Sequence, residues 1–454
     1  MKALFERLVS DPALRRAVQA FGMRGQISQI YGVTGGQKSL LAAAGLEKVA
    51  GATVIITANY ENLAQWRTDL RFLLPQREIV ELPAADVVNF NATAKSRDIA
   101  AQRIETLEKL VGGKSVIVLT TVDGAVQRVQ SREEFVGNRL FISRDVAVDR
   151  DKLLKELVRF GYERTEQVEG RGQFSARGGI IDIFPINRDL PVRAELFGDD
   201  IDSIREFDPL TQRSVTSINE VTILPAFETL TRVCKEVFLS YLSPDGAIIF
   251  DEPARLREAI TALVKENPEL KSSLCTWADL VGAGKVSKAV EIYVSLLLQK
   301  AIGVEPAELI SITAKGVAPF HRHMELLSDE LEGWHSRRCS VLVVLGGQDK
   351  CEGLKQVLRK DGFAVLAGSP SPELVDGKVT LVTGLLSGGF EFPLARLVVL
   401  TEQDIFGRQK KALRRRVAKD KQIESFRDLK PGDYVVHTTH GIGKYMGIET
   451  MEME

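Results

Sequence analysis

The chain is poor in the residues that build disulfide scaffolds and metal centres. Its 454 residues include four cysteines and five histidines, and the cysteines are scattered without a C-x-x-C spacing. This pattern predicts free thiols in a reducing compartment and argues against a zinc site or a histidine-rich metal centre.

Two further absences narrow the class of protein. No apolar run reaches the roughly 20 residues of a membrane-spanning helix, and the amino-terminal segment has no long apolar core. We therefore expect a cytoplasmic protein without a membrane partner. The net charge of −1 argues against a generally basic nucleic-acid binder, although it leaves room for local basic patches.

The composition that is present is that of an ordinary globular protein, with 44% hydrophobic and 27% charged residues. A chain of this length is too long for one core and should form about three or four domains. Between residues 29 and 135, β-branched runs alternate with helical patterns. The predicted strands are 29–33, 53–57, 79–82 and 115–119, and the predicted helices are 37–49, 60–73 and 97–112. This order is typical of a parallel sheet with helices on both faces.

Composition divides the rest of the chain, after a first domain at 1–137, into five segments. They are 138–223, glycine-rich α+β; 224–312, helices around one apolar strand at 246–250; 315–405, a small α/β domain of unknown role; 406–428, a basic linker; and 429–454, the start of a small β-barrel. Within 315–405, the predicted elements are strands at 341–345, 375–382 and 396–401 and a helix at 348–360.

Residues 32–39, GVTGGQKS, follow a strand and open a helix, as a phosphate-binding loop does. Lys38 and Ser39 fit the pattern G-x-x-x-x-G-K-[ST] as phosphate and Mg²⁺ contacts. Gln37 stands where the last glycine would let the loop amides approach a phosphate, and a side chain there crowds the site. The sequence therefore indicates a nucleotide site that has lost its central glycine.

Asp251 and Glu252 follow an apolar strand and are the candidate acids that would hold the metal of such a site. No second motor half with its charge-stabilising arginine follows in 255–454. The pattern favours a vestigial site kept for its shape. Weak nucleotide binding and active turnover stay open as alternatives.

Residues 171–197 form the most informative stretch. Two glycine pairs break the backbone, and a dense apolar run follows at 180–185. Beyond a polar turn, Arg193 and Phe197 fall on one face of an extended segment. An exposed aromatic beside an arginine is typical of a docking hot spot rather than of a hydrolytic centre. A hairpin whose arginines are merely solvated is the alternative.

The residue pattern of this stretch resembles that of the second domain shared by the excision-repair protein UvrB and the transcription-repair coupling factors. The family pattern reads roughly RG-x-[FY]-x-x-RG-x-[IL]-[IL]-D-[IL]-FP, followed by a basic residue and an aromatic on a later strand. The matching residues are Arg171-Gly172, Phe174, Arg177-Gly178, Ile181-Asp182-Ile183-Phe184-Pro185, Arg193 and Phe197. The resemblance implies that this domain contacts UvrA, with Arg177, Arg193 and Phe197 as the contact residues.

The order of the segments also resembles this family. It implies an α/β multidomain protein in which a degenerate helicase-like (P-loop type) parallel-sheet domain is interrupted by the α+β UvrA-binding domain. A second small α/β domain and the truncated start of an SH3-like β-barrel would follow.

The carboxy-terminal segments add two features. Residues 408–421 carry eight Lys/Arg against one acid, which fits either a solvated linker or a nucleic-acid contact. Residues 429–449 predict a hairpin with strands at 434–437 and 444–448. Their sequence closely resembles the start of the RNA-polymerase-interacting domain of coupling factors and CarD-type regulators.

The resemblance implies a recruitment module that docks UvrA at RNA polymerase stalled by DNA damage, in transcription-coupled nucleotide excision repair. Polymerase contact would run through its β subunit. The chain itself would need no cofactor and carry no catalytic residue, whereas its parent would be an ATP-dependent translocase of double-stranded DNA that uses ATP and Mg²⁺. The alternatives are a UvrB-like ATP-dependent DNA helicase subunit and a CarD-like regulator that binds DNA and RNA polymerase.

Overall fold

The computed structural model describes residues 1–85, 93–227, 236–367, 373–407, 434–437 and 441–444. By its internal contacts the chain divides into two units, Met1–Gly407 and Arg408–Glu454. The basic stretch at 408–421 lies outside the described residues, and so does most of the predicted linker at 406–428. None of the described helices combines the length and the apolarity needed to cross a membrane.

The strands of the larger unit fall into three groups along the chain. The first group is β1 (Ile27–Tyr31), β2 (Thr53–Thr57), β3 (Glu78–Leu82) and β4 (Val116–Thr121). The second group is β5 (Leu140–Ser143), β6 (Glu163–Arg164), β7 (Gln173–Arg177), β8 (Ile180–Ile183), β9 (Val192–Phe197), β10 (Asp200–Phe207), β11 (Ser214–Ile218) and β12 (Glu220–Ile223). The third group is β13 (Ala247–Asp251), β14 (Val290–Ser295), β15 (Glu308–Ser311), β16 (Lys315–Gly316), β17 (Ser340–Leu345), β18 (Val365–Ala367), β19 (Val379–Thr383), β20 (Phe390–Phe392) and β21 (Leu397–Thr401).

The helices lie between these strands and at the amino terminus. They are α1 (Lys2–Leu8), α2 (Pro12–Ala20), α3 (Gly36–Leu46), α4 (Tyr60–Leu73), α5 (Thr93–Val111), α6 (Val122–Ala125), α7 (Arg132–Gly137), α8 (Arg150–Arg159), α9 (Pro253–Glu266), α10 (Trp277–Ser287), α11 (Met324–Ser336), α12 (Gln348–Lys360) and α13 (Glu402–Phe406).

A seven-stranded parallel sheet joins the strands on either side of the second group, from 27–121 and 247–311, and forms the centre of what is called here the first lobe. Its order is β15-β1-β14-β13-β2-β4-β3. Both faces of this sheet are buried, because alternate residues of a strand pack into different apolar clusters. In β2, Val54 and Ile56 pack on one side and Ile55 on the other. The mixed α/β class with a parallel sheet is therefore confirmed.

The prediction of one apolar strand within 224–312 is wrong, because β13, β14 and β15 all join this sheet. In β14, Glu291 interrupts the apolar pattern, yet its carboxylate is buried and accepts a hydrogen bond from Tyr293 Oη at 2.9 Å. A carboxylate with a hydrogen-bond partner can be buried, but in the sequence pattern a glutamate predicts an exposed strand position. The predicted strand at 375–382 is also displaced, since β19 begins at Val379.

The second sheet is an insert between strands of the first. It has the order β11-β10-β9-β8-β7-β6 and is antiparallel except for the β6–β7 pair. Outside it, β5 pairs with β12 in antiparallel fashion, so the chain enters and leaves the insert side by side. This arrangement lets the insert build its own sheet without interrupting the hydrogen bonds of the parallel one.

The third sheet has the order β16-β20-β21-β17-β19-β18 and packs against the first lobe. Leu342 and Phe390 belong to the same apolar cluster as Leu40 of α3. Asp69 of α4 adds a polar link, because its carboxylate accepts hydrogen bonds from Ser387 N and Ser387 Oγ at 2.7 and 2.8 Å. The first and third sheets therefore share one core.

The smaller unit contains one described hairpin, β22 (Tyr434–His437) paired with β23 (Gly441–Lys444). The first strand agrees with the sequence prediction. The return strand begins at Gly441 rather than at Lys444, because the two glycines predicted to turn the chain are part of the strand itself.

Candidate functional site

The insert sheet presents one buried face and one open face. Its buried face consists of apolar residues on alternate positions: Phe174, Ile181, Ile183, Val192, Ala194 and Ile204. On the other face, cross-strand pairing aligns Arg177 with Ile180, Ile180 with Glu195, and Asp182 with Arg193. Directly paired residues share a face, as do residues two apart on one strand. All three residues predicted to contact a partner therefore lie on one surface, called here the open face: Arg177, Ile180, Asp182, Arg193, Glu195 and Phe197.

Phe197 ends β9, immediately before the turn into β10. It pairs with Asp200, and Gly198 between them has a φ of +67°, a backbone angle that favours glycine. The phenyl ring is 85% exposed. A large aromatic ring in water on a tight turn has no packing role in this fold and is free to bury against another surface.

Arg193 is held rigidly in the middle of the open face. Its Nε and Nη2 donate to the two carboxylate oxygens of Asp182 at 2.7 and 2.9 Å, and Nη2 also donates to Gln212 Oε1 at 3.3 Å. Its guanidinium carbon lies 4.6 Å from the centroid of the Phe207 ring. The hydrogen bond with Asp182 is the main cause that raises the pKa of Arg193. A fork fixed in this way loses little conformational entropy when it meets a partner.

Arg177 lies at the β7–β8 turn and is exposed. Its guanidinium donates to the backbone oxygen of Glu166. Asp182 and Gln212, which orient Arg193, were not predicted from the sequence. The alternation in Ile180–Ile183 contains a signal for Asp182, since a lone carboxylate between buried isoleucines must face away from the core.

The loop that resembles a phosphate-binding loop is filled by its own side chain. Gln37 Oε1 accepts a hydrogen bond from Thr34 N at 2.9 Å, and Gln37 Nε2 donates to Lys315 O at 3.1 Å. The amides of Gln37 and Lys38 donate to the carbonyl oxygens of Thr34 and Gly35 at 3.1 and 3.0 Å. Three of the loop amides, those of Thr34, Gln37 and Lys38, are therefore already engaged within the protein.

The predicted nucleotide contacts are brought together but pair with one another. Lys38 is 6% exposed, and its Nζ lies 2.7 Å from Asp251 Oδ1 and 2.5 Å from Glu252 Oε1. Trp66 Nε1 donates to the second oxygen of Asp251 at 3.0 Å. The lysine is thus already paired with both acids at the position where a phosphate and a metal ion would have to bind.

Ser39, the predicted Mg²⁺ contact, is hydrogen-bonded to Asp69 instead. Burial raises the pKa of Asp69 to about 6, while hydrogen bonds from Ser39 and Ser387 act in the opposite direction. The cavity beside Lys38 has a volume of about 110 Å³, well below the roughly 300–1,000 Å³ of pockets that hold small ligands. Among the described residues, no group of three or more His, Cys, Asp or Glu is placed to hold a metal ion.

Comparison with known families matches two parts of the chain. Residues 140–228 match the UvrB interaction domain, and residues 429–454 match the CarD-like/TRCF RID domain. The first match contains the whole open face. The chain is a relative of the transcription-repair-coupling factors.

The similarity to these factors extends along almost the whole chain. The transcription-repair-coupling factor of Bacillus subtilis is 27% identical over 503 residues, covering 95% of this chain and 43% of that protein. That of Staphylococcus epidermidis is 25% identical over 526 residues, covering 100% of this chain and 44% of that protein. The chain therefore spans less than half the length of the coupling factors it matches.

Among solved structures, a chain described as "DEAD-box helicase Mss116 bound to ssRNA and UDP-BeF" matches at 8% identity, covering 84% of this chain and 63% of that one. Its TM-score is 0.25, which does not establish a common fold.

Proposed function

We propose that the chain is the recruitment module of a transcription-repair-coupling factor and that its open face docks UvrA. The observation that carries this proposal is the placement of Arg177, Arg193 and Phe197 on one face of the sheet that matches the UvrB interaction domain. Arg177 and Phe197 are exposed there, and the side chain of Arg193 is 21% exposed. The opposite face of the same sheet is apolar and buried. The insert thus has one face for folding and one face for binding.

The chemistry of the open face suits an acidic partner surface with an apolar pocket. Arg177 and the remaining donors of Arg193 would make charge-assisted hydrogen bonds to carboxylates. Phe197 would supply the buried apolar area, of which an aromatic side chain offers about 150–250 Å². Because Asp182 and Gln212 already hold Arg193, its guanidinium would lose little conformational entropy on binding.

The remaining roles belong to the same proposal. The segment from 429 would open an SH3-like barrel that contacts the RNA polymerase β subunit, and a motor elsewhere in the parent protein would use ATP and Mg²⁺ to move along double-stranded DNA in the cytoplasm. The first lobe would serve as a scaffold that needs no cofactor, which is supported by the self-paired Lys38, Asp251 and Glu252.

Arg177→Ala tests the proposal at the edge of the face. We expect it to weaken UvrA binding about tenfold at low ionic strength and less at high salt, because an exposed charge acts through screened electrostatics. Arg132→Ala is a matched control, since Arg132 is also exposed and donates to a backbone carbonyl, that of Val111, but lies on α7 outside the insert sheet. Titration calorimetry measures both. Equal affinities for the two variants at low salt would contradict the proposed docking face.

A further inference from the structure

The turn between β10 and β11 carries Leu210, which is 92% exposed. In the described part of the chain it is the most exposed large apolar side chain. This residue does not pack in the apolar core, and it is not among the residues that define the open face. Keeping a leucine almost fully in water brings no gain in folding free energy.

The backbone of this turn is held firmly. Asp208 Oδ1 accepts hydrogen bonds from Leu210 N at 2.8 Å and from Thr211 N at 2.9 Å. Asp208 N donates to Arg213 O at 3.0 Å, and Gln212 N donates to Asp208 O at 2.8 Å. The two bonds to its carboxylate lower the pKa of Asp208. An apolar side chain presented on a fixed turn can bind with a small entropic cost.

Gln212 ties this turn to the open face. It adopts the left-handed backbone conformation, with a φ of +58°, which is uncommon for a residue other than glycine. Its Oε1 accepts from Arg193 Nη2 at 3.3 Å, and its Nε2 donates to Pro209 O at 2.8 Å and Val168 O at 3.4 Å. Leu210 is therefore two residues from a side chain in direct contact with Arg193.

The spacing of the two exposed anchors suits a single interface. β10 has eight residues and separates the Phe197 turn from the Leu210 turn, which corresponds to roughly 25 Å at about 3.3 Å per residue. A standard interface buries about 800 Å² on each partner, a patch roughly 30 Å across. Arg193 lies between the two ends of this span.

The geometry points to Leu210 as a second apolar anchor of the interface that holds Arg193 and Phe197. The docked surface would then offer an apolar pocket at each end and acidic groups between them. This inference rests on the proposed function and extends the docking surface along the full length of β10.

Leu210→Ser in the full chain tests the inference, with UvrA as the probe. We expect binding to weaken about tenfold, since leucines contribute less at hot spots than aromatic residues. The thermal midpoint should not move, because the side chain makes no packing contact worth losing at this exposure. Val158→Ser is the control: Val158 is 60% exposed on α8, whose Leu153 and Leu157 pack in the apolar core with Ile181. Val158→Ser should bind UvrA with the same affinity as the unsubstituted chain.

Phe197→Ala, measured beside it, separates failure of this inference from failure of the proposed function. Unchanged affinity of Leu210→Ser while Phe197→Ala binds weakly overturns the second anchor and leaves the proposed face intact. Parental affinity of both variants overturns both. Weakening of both, with fold-changes that multiply in the double variant as expected for sites this far apart, supports the inference.

Discussion

Replacing Lys38 with methionine will lower the free energy of unfolding by about 3–5 kcal/mol, the usual cost of removing one partner from a buried ion pair. The side chains of Lys38 and Asp251 are 7% and 4% exposed, and Glu252 joins the same ammonium group. Without the lysine, two adjacent carboxylates remain desolvated and repel each other. Urea denaturation followed by circular dichroism measures the change.

Lys350→Met provides the control for this prediction. Lys350 pairs with Glu402 at the surface, where the lysine side chain is 45% exposed, so its removal should cost less than about 1 kcal/mol. ATP turnover by the unsubstituted 454-residue chain completes the test, because a working nucleotide site needs Lys38 to contact the phosphate. Saturable turnover that disappears in Lys38→Met, with unchanged stability, would establish the helicase alternative and refute a self-paired lysine.

Replacing Phe197 with alanine will weaken binding to UvrA by at least thirty-fold, which corresponds to about 2 kcal/mol or more. Phe197 is 85% exposed in the unbound chain, so removing its ring should leave the free energy of unfolding almost unchanged. Titration calorimetry gives the affinity, and a thermal melt should give the parental midpoint. Arg193→Ala is a poorer probe than Phe197→Ala, because it would leave the carboxylate of Asp182 without its arginine.

Phe141→Ala is the matched control for Phe197. Phe141 is also an exposed phenylalanine of the matched domain, but it lies on β5 in the two-stranded pair outside the insert sheet. It should bind UvrA with parental affinity. A similar loss in both phenylalanine variants would mean that exposed aromatic area alone, and no particular face, determines binding.

Much of the architecture could be predicted from the sequence because strands buried on both faces are short runs of β-branched or other apolar residues without a charged residue inside them. β2 and β13 are such runs, and both are central in the parallel sheet. β14 could not be predicted in this way, since the buried Glu291 reads as a surface residue until Tyr293 is known to donate to it. The hydrophobicity pattern of a strand predicts which of its residues are buried only where the buried side chains are apolar.

The candidate site shows the same division. The side of β9 that carries Arg193 and Phe197 follows from alternation alone, and the obstruction at Gln37 follows from the phosphate-loop pattern. The partnership of Arg193 with Asp182 depends on strand register, which turn geometry sets and which a single sequence does not reveal. The hydrogen bond between Arg193 and Gln212 is even harder to predict from the sequence, because Gln212 lies in the turn that follows β10 and the fold of that turn must be known.

The structure of this chain in complex with UvrA tests the central claim most directly. Our account predicts that UvrA covers the open face, with Phe197 buried in an apolar pocket and Arg177 and Arg193 opposite carboxylates. A complex in which UvrA binds another surface, while Phe197 and Arg177 remain in water, would contradict it.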